Sequence, residues 1–162
     1  MNPFHILTTM EIEAVFSESE SCVQNFPKTL QFPFPEKYRE WVTQFKTIEI
    51  SGDFILFNSV EAVNENKEFA KEDFWVFAGT GQGDRWLFDK KGMVFFYDHD
   101  YDEGFEPMGI NFVQSVQMAF LLRDLEEMMD DQSRTSEETK AQFNTVFNQI
   151  HHQLSEKYPF QI

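Results

Sequence analysis

The chain has 162 residues, 41% of them apolar and 20 of them Phe, with 28 acids against 13 bases for a formal charge of -15. A chain this long buries roughly 70% of the surface its unfolded form exposes, so it needs neither disulfides nor a structural metal, and its aromatic content excludes global disorder. The charge argues against nucleic acid and anionic membranes as partners, since both would be repelled, and fits a basic protein partner.

In chain order, the first predicted element is a helix from about Thr9, with Ile12, Val15, Phe16, Cys22 and Val23 on one side and a weak middle at the Ser-Glu alternation of residues 17–21. Phe26-Pro27 and Phe32-Pro33-Phe34-Pro35 then demand extended backbone, because the residue before a proline avoids the α region. Pro35 suits a first helical position, and Tyr38, Trp41, Val42 and Phe45 follow at i, i+3, i+4, i+7, which predicts a helix over residues 35–46. The period then changes. Ile48, Ile50 and residues 54–57 read as short strands around a turn at residues 51–53, and Ser59 is placed to cap a modest helix running to about Lys71.

The centre of the chain carries three strands rich in aromatic and β-branched residues, 74–78, 85–89 and 93–97. The loops between them, 79–83 and 89–92, are too short for a parallel crossover, so the three form an antiparallel meander. Farther on, Asn111 is placed to cap a helix carrying Phe112, Val116, Ala119, Phe120 and Leu122, with Leu125, Met128 and Met129 along it. Thr135 and Glu138 have capping-box spacing for a last helix, which puts Phe143, Val146, Phe147, Ile150 and Leu154 on one stripe before Pro159 ends it. Helices, then strands, then helices predict an α+β fold: a central antiparallel sheet, a meander, with helices packed on it.

No linker, repeat or low-complexity tract divides the chain, so one domain over residues 1–162 is expected. The single cysteine, Cys22, has no internal disulfide partner and is most simply a small core residue; with His5, His99, His151 and His152 it supplies no Cys-rich zinc site. No apolar run reaches signal-peptide or membrane-span length, and the expected location is the cytoplasm.

Several segments invite a chemical reading and fail it. Gly79-Thr80-Gly81-Gln82-Gly83 has Asp84 where a dinucleotide fingerprint needs glycine and leads into a strand, not a helix N-terminus, so it reads as a hairpin loop. Asp98, Asp100 and Asp102 alternate like a calcium loop, yet Glu103 and Gly109 stand at positions 6 and 12, where glycine and glutamate are required. His99 reads as a structural histidine at the end of the sheet. Strand alternation would put it on the face opposite Asp98 and Asp100. His151 and His152 are adjacent on the last helix and diverge by about 100°, so they make no metal pair. No catalytic constellation emerges, and no enzyme activity, cofactor or metal is expected; a metal-dependent hydrolase using Asp98, His99 and Asp102 stands as an alternative of another class.

The acids are clustered. Five of them and no base lie in residues 98–106, and residues 124–138 hold seven acids against Arg134 alone, together 12 of the 28. Such segments either face solvent or steer and grip a cationic protein, and aromatics among the acids favour the second. The expected contacts are Asp98, Asp100, Asp102, Glu103 and Glu106, with Tyr101 and Phe105 as anchors.

The centre of the chain also resembles a known family. Phe-Pro-Glu-Lys-Tyr-Arg-Glu-Trp at 34–41 is similar to the L-P-x-x-[YF]-x-x-[FL] helix start of the SUKH superfamily, which includes fungal cell-wall-assembly regulators and bacterial immunity proteins. Trp75-Val76-Phe77-Ala78, then Gly81 to Asp84, Trp86-Leu87-Phe88-Asp89, Gly92, Val94 and Tyr97-Asp98-His99-Asp100 resemble the family's tryptophan–glycine–aspartate–histidine meander, and Asn111-Phe112 its closing segment. The resemblance spans about 34–130 and leaves 131–162 as a helical extension. It implies an α+β fold, no cofactor, no enzymatic activity and protein binding, often neutralisation of a toxin. Joined to the charge, this predicts an immunity-type protein that neutralises a cationic, nuclease-like toxin, the alternative being a regulatory scaffold on resident cellular proteins.

Overall fold

The computed structural model describes residues 2–100, 104–132, 136–160 and 162. Thr8 opens the first helix, α1 (Thr9–Ser17), through a reciprocal capping box with Glu11. This helix ends before Cys22 and Val23, which the sequence pattern assigns to its apolar side. The chain is extended there: Ser21 bridges Phe45, the Cys22 and Gln24 N–H groups donate to the Gln44 and Thr43 carbonyls, and Val23 is 67% exposed. Cys22 is half-buried, not a core residue.

The next helix, α2 (Tyr38–Val42), is shorter than the predicted span of 35–46. Lys37 has φ +74°, a left-handed conformation that no helix can pass through, so Pro35 lies outside it. Tyr38, Trp41 and Val42 are nonetheless buried, as their spacing requires.

Among the described residues six antiparallel strands follow in sequence order: β1 (Ile48–Ser51), β2 (Phe54–Leu56), β3 (Phe74–Gly79), β4 (Arg85–Asp89), β5 (Met93–Tyr97) and β6 (Glu106–Asn111). The predicted three-stranded meander is thus the centre of a six-stranded one. Between β2 and β3 lies α3 (Ser59–Phe69), capped by the Asn58 side chain, which accepts the Glu61 N–H, and not by Ser59; the Ser59 hydroxyl instead donates to the Gln24 carbonyl. Strand β6 escapes prediction because Pro107 and Gly109 interrupt it. An edge strand tolerates both: Pro107 pairs with Phe95 yet has no further strand among the described residues on its open side that would need an N–H, and Gly109 (φ +73°) lies in the bulged stretch opposite Met93–Phe95.

Register sorts the side chains onto two faces. Trp75 pairs with Phe88 and Phe88 with Val94, while Trp86 pairs with Phe96, so these lie on one face together with Phe77, Met108 and Ile110. That face is the core: all are buried, and α1, α2 and α4 (Phe112–Gln132) cover it. Phe112, with no exposed surface, meets the rings of Tyr38, Trp41, Phe77 and Phe88, and buried Trp75 donates its indole N–H to the Tyr38 hydroxyl at 2.7 Å. Aromatic packing of this density accounts for the abundance of Phe.

The last helix of the sequence reading is two. Ser136 caps α5 (Glu137–Ile150) by accepting the Thr139 N–H, whereas Thr135 lies outside the described residues; α6 (Leu154–Lys157) follows a break at Gln153, φ +62°. His151 therefore leaves the helix with extended backbone. The predicted stripe survives the break, because Phe143, Val146, Phe147, Ile150 and Leu154 are all buried. Tyr158 stacks on Trp86 and donates to Asp53 Oδ2 at 2.9 Å, which ties the C-terminal segment to the β1–β2 turn. Among the described residues no helix is long and apolar enough to cross a membrane.

Candidate protein-binding face

The second face of the sheet carries Phe74, Val76, Leu87, Phe95, Arg85 and Tyr97, and α3 packs over part of it. Asn66 fixes that helix: its side-chain amide donates to the Ala62 and Val76 carbonyls and accepts the Val76 N–H at 2.8 Å, so a side chain replaces a missing strand neighbour. Beyond the helix, Phe69, Phe74, Tyr97 and Phe105 form a half-buried ring cluster separate from the core, with Phe74 and Phe105 centroids 4.3 Å apart. Arg85 lies over Phe69 at 4.9 Å and bonds Glu65 through Nε at 2.6 Å.

Strand β5 ends at Tyr97, and the acidic turn starts there. Asp98 Oδ1 accepts the Asp100 N–H at 2.9 Å, a local turn that breaks strand alternation. As a result His99 does share a side with Asp100, against the sequence expectation: its Nε2 lies 3.2 Å from Asp100 Oδ1. Its Nδ1 lies 2.6 Å from Asp84 Oδ1, which also accepts the His99 backbone N–H at 3.2 Å. Asp84 is 5% exposed, and the Thr80 hydroxyl donates to its other oxygen. Thr80 Oγ1 in turn accepts the Gln82 and Asp84 N–H groups. The β3–β4 loop and the acidic turn are thus pinned together by one carboxylate.

Electrostatics reinforce the pin. Asp84 holds the His99 imidazole above its ordinary range, with Asp100 and Asp98 adding to the effect. Burial works against ionisation of Asp84, but the His99 ring and N–H and the Thr80 hydroxyl outweigh it and hold the carboxyl low.

Of the expected contact residues, Asp100 and Glu106 are exposed and Asp98 is half-buried. Tyr101, Asp102 and Glu103 lie outside the described residues. Phe105 belongs to the ring cluster, held beside the turn. Glu106 pairs with Phe96 and so points toward the other face from Tyr97. Asp98, Asp100 and Glu106 are paired with no Lys or Arg among the described residues. The second acidic segment differs: Glu126 accepts the Gly52 N–H at 2.9 Å, Glu127 lies 3.4 Å from Arg123, and burial raises the pKa values of Asp124 and Glu126. Glu126 and Glu127 thus already have partners within the fold.

Among the described residues, one group of three has ligand atoms close enough to meet a metal, Asp84, Asp98 and His99, all within 4.8 Å. The Asp84 oxygens are already occupied by His99 and Thr80, so the group satisfies itself without an ion. Sequence reading missed the Asp84–His99 bond, which joins residues 15 positions apart, and the ring cluster, whose members come from four segments.

A family model described as the SMI1/KNR4 family (SUKH-1) matches residues 18–130, starting earlier than the motifs at 34–130 and covering well over half the chain. No curated protein and no solved structure matches it.

Proposed function

Since this chain belongs to the SMI1/KNR4 family (SUKH-1), we propose that it is a non-enzymatic, immunity-type protein that binds and neutralises a basic, nuclease-like toxin domain. Family membership supports protein binding in an immunity or regulatory role. The observation that supports the finer reading is that Phe105 packs on Tyr97 in a ring cluster outside the core, and Tyr97 leads directly into Asp98 and Asp100, which pair with no Lys or Arg among the described residues, His99 alone lying beside Asp100.

A nuclease displays positive charge to attract phosphates, and a carboxylate-rich turn can occupy the same field. Charge complementarity raises association above the roughly 10⁵–10⁶ M⁻¹s⁻¹ of neutral pairs, while an aromatic fixed in place loses little entropy on binding. Asp98, Asp100, Asp102, Glu103 and Glu106 supply the charge, and Tyr101 and Phe105 the anchors.

The test is growth protection in cells expressing a basic nuclease toxin that the wild-type chain neutralises. Reversal of the five acids to Lys is expected to abolish protection with the circular dichroism spectrum retained. Full protection by the folded variant would remove the turn from the mechanism.

A further inference from the structure

A second surface has the opposite sign. Between residues 27–32 and the C-terminal end of α3 runs a groove made of two adjoining recesses of about 660 and 320 Å³, which share Leu30, Asn66 and Trp75. Its apolar lining comes from Leu30, Phe32, Phe74 and Trp75. Three of the chain's 13 Lys and Arg residues stand at its rim, Lys67, Lys71 and Lys90, all exposed, against Glu72 as the one acid among its lining residues. Lys90 is 3.5 Å from Asp73 in an exposed pair of little strength; Lys67 and Lys71 have no ion pair among the described residues. In a chain of charge -15 this is a local reversal of sign over an apolar floor.

The walls are held in place. Asn66 locks α3 to β3 through three hydrogen bonds, Trp75 is anchored to Tyr38, and Phe32 packs on Trp75 and Phe88 at 6.0 and 5.9 Å. The groove is therefore formed before any ligand arrives, which lowers the ordering cost of binding.

We propose that this groove docks an extended acidic peptide segment that inserts one aromatic or aliphatic side chain over Phe32 and Trp75 while its carboxylates meet Lys67, Lys71 and Lys90. Apolar lining selects the inserted side chain, and the lysines select flanking Asp or Glu. A long polyanion such as a nucleic acid would feel the negative charge of the whole molecule. A short acidic segment stays within about one screening length, roughly 8 Å, of the three lysines. The groove adjoins the ring cluster, because Lys71 and Phe74 also line the recess at Tyr97 and Phe105, but its proposed ligand is acidic where the toxin reading requires a basic partner at residues 98–106.

The experiment titrates the full chain with three short peptides: acidic residues flanking a Phe, Lys residues flanking a Phe, and acidic residues flanking a Gly. Binding is followed by intrinsic tryptophan fluorescence and by amide chemical-shift mapping. Saturable binding of the first peptide, weakened by salt, with shifts centred on residues 27–32, 66–75 and 90, is expected. Lys67→Glu/Lys71→Glu is expected to lose tenfold or more in affinity at an unchanged melting temperature, because both side chains are exposed. A milder pair, Lys67→Met/Lys71→Met, gives a second reading at the same position. Equal binding of the basic peptide, no binding of the first, shifts confined to residues 98–106, or preferential binding of an oligo-dT strand would each overturn the proposal.

Discussion

Asp84 Oδ1 accepts both the ring N–H and the backbone N–H of His99, at 2.6 and 3.2 Å, across a separation of 15 positions. One buried carboxylate thereby fixes the origin of the acidic turn against the β3–β4 loop. The bond fixes the geometry of residues 98–100 before any partner arrives.

The bond predicts a pH window. The folded pKa of His99 lies above its ordinary value of 6.5, so its stabilising effect is complete below about pH 6.5 and is lost as pH rises through the folded value. The folded pKa of Asp84 lies below its ordinary 3.8, so its effect is present above that and is lost as pH falls through the lowered value. Stability from the pair is greatest between the two. Thermal melts at about pH 5.5 and about pH 8.5 are expected to differ more for wild type than for His99→Gln. Asp84→Ala, which leaves Thr80 and His99 without their acceptor, is expected to cost about 2 kcal/mol in urea unfolding near pH 6.

Glu126 behaves in the opposite sense. Burial, together with Asp53, Asp130 and Glu49, raises its pKa above 4.5 despite the Gly52 N–H. For a carboxyl raised by folding, the favourable contribution is present at low pH and is lost as pH rises through the folded value. Glu126→Gln keeps an acceptor for Gly52 and removes the charge, so its melting temperature at neutral pH is expected to equal or exceed that of wild type. Differential scanning calorimetry checks the sign.

Phe112 is the keystone of the core face, with no exposed surface and rings of Tyr38, Trp41, Phe77 and Phe88 around it. Phe112→Ala is expected to cost about 3–5 kcal/mol, measured as a lower urea midpoint with an unchanged slope.

Gly109 has φ +73°, and a Cβ there would lie 2.7 Å from His151 Nε2. Gly109→Ala is expected to destabilise by about 1–3 kcal/mol. Adding His151→Ala removes the closest contact but leaves the Lys157 Nζ contact at 3.0 Å and the backbone strain, so the double variant is expected to recover only part of the loss in the same unfolding assay.

The central strands were legible because their edges are marked locally: Gly and Asp-Lys-Lys-Gly loops flank runs such as Trp86-Leu87-Phe88, and register follows from alternation. Strand β6 was not, since Pro107 and Gly109 belong to an edge strand whose partner, not its own sequence, defines it. The extent of α2 was hidden by the positive φ of Lys37, a residue type that carries no signal for it. At the candidate site, the acidic residues were visible as composition. What arranges them was not: Asp84 and His99 meet only once the meander forms, and alternation fails where the strand ends at Tyr97. The ring cluster and the lysine-rimmed groove likewise join residues from separate segments, which no local pattern reports.

The measurement that bears most directly on the toxin-binding reading is the association rate of the chain with a neutralised basic nuclease domain as a function of ionic strength, for wild type and for D98K/D100K/D102K/E103K/E106K. The wild-type rate is expected to fall tenfold or more between about 0.02 and about 0.5 M salt, and the variant to be slow with no such fall. Rates that coincide for the two proteins at every salt concentration would contradict the acidic turn as the binding surface.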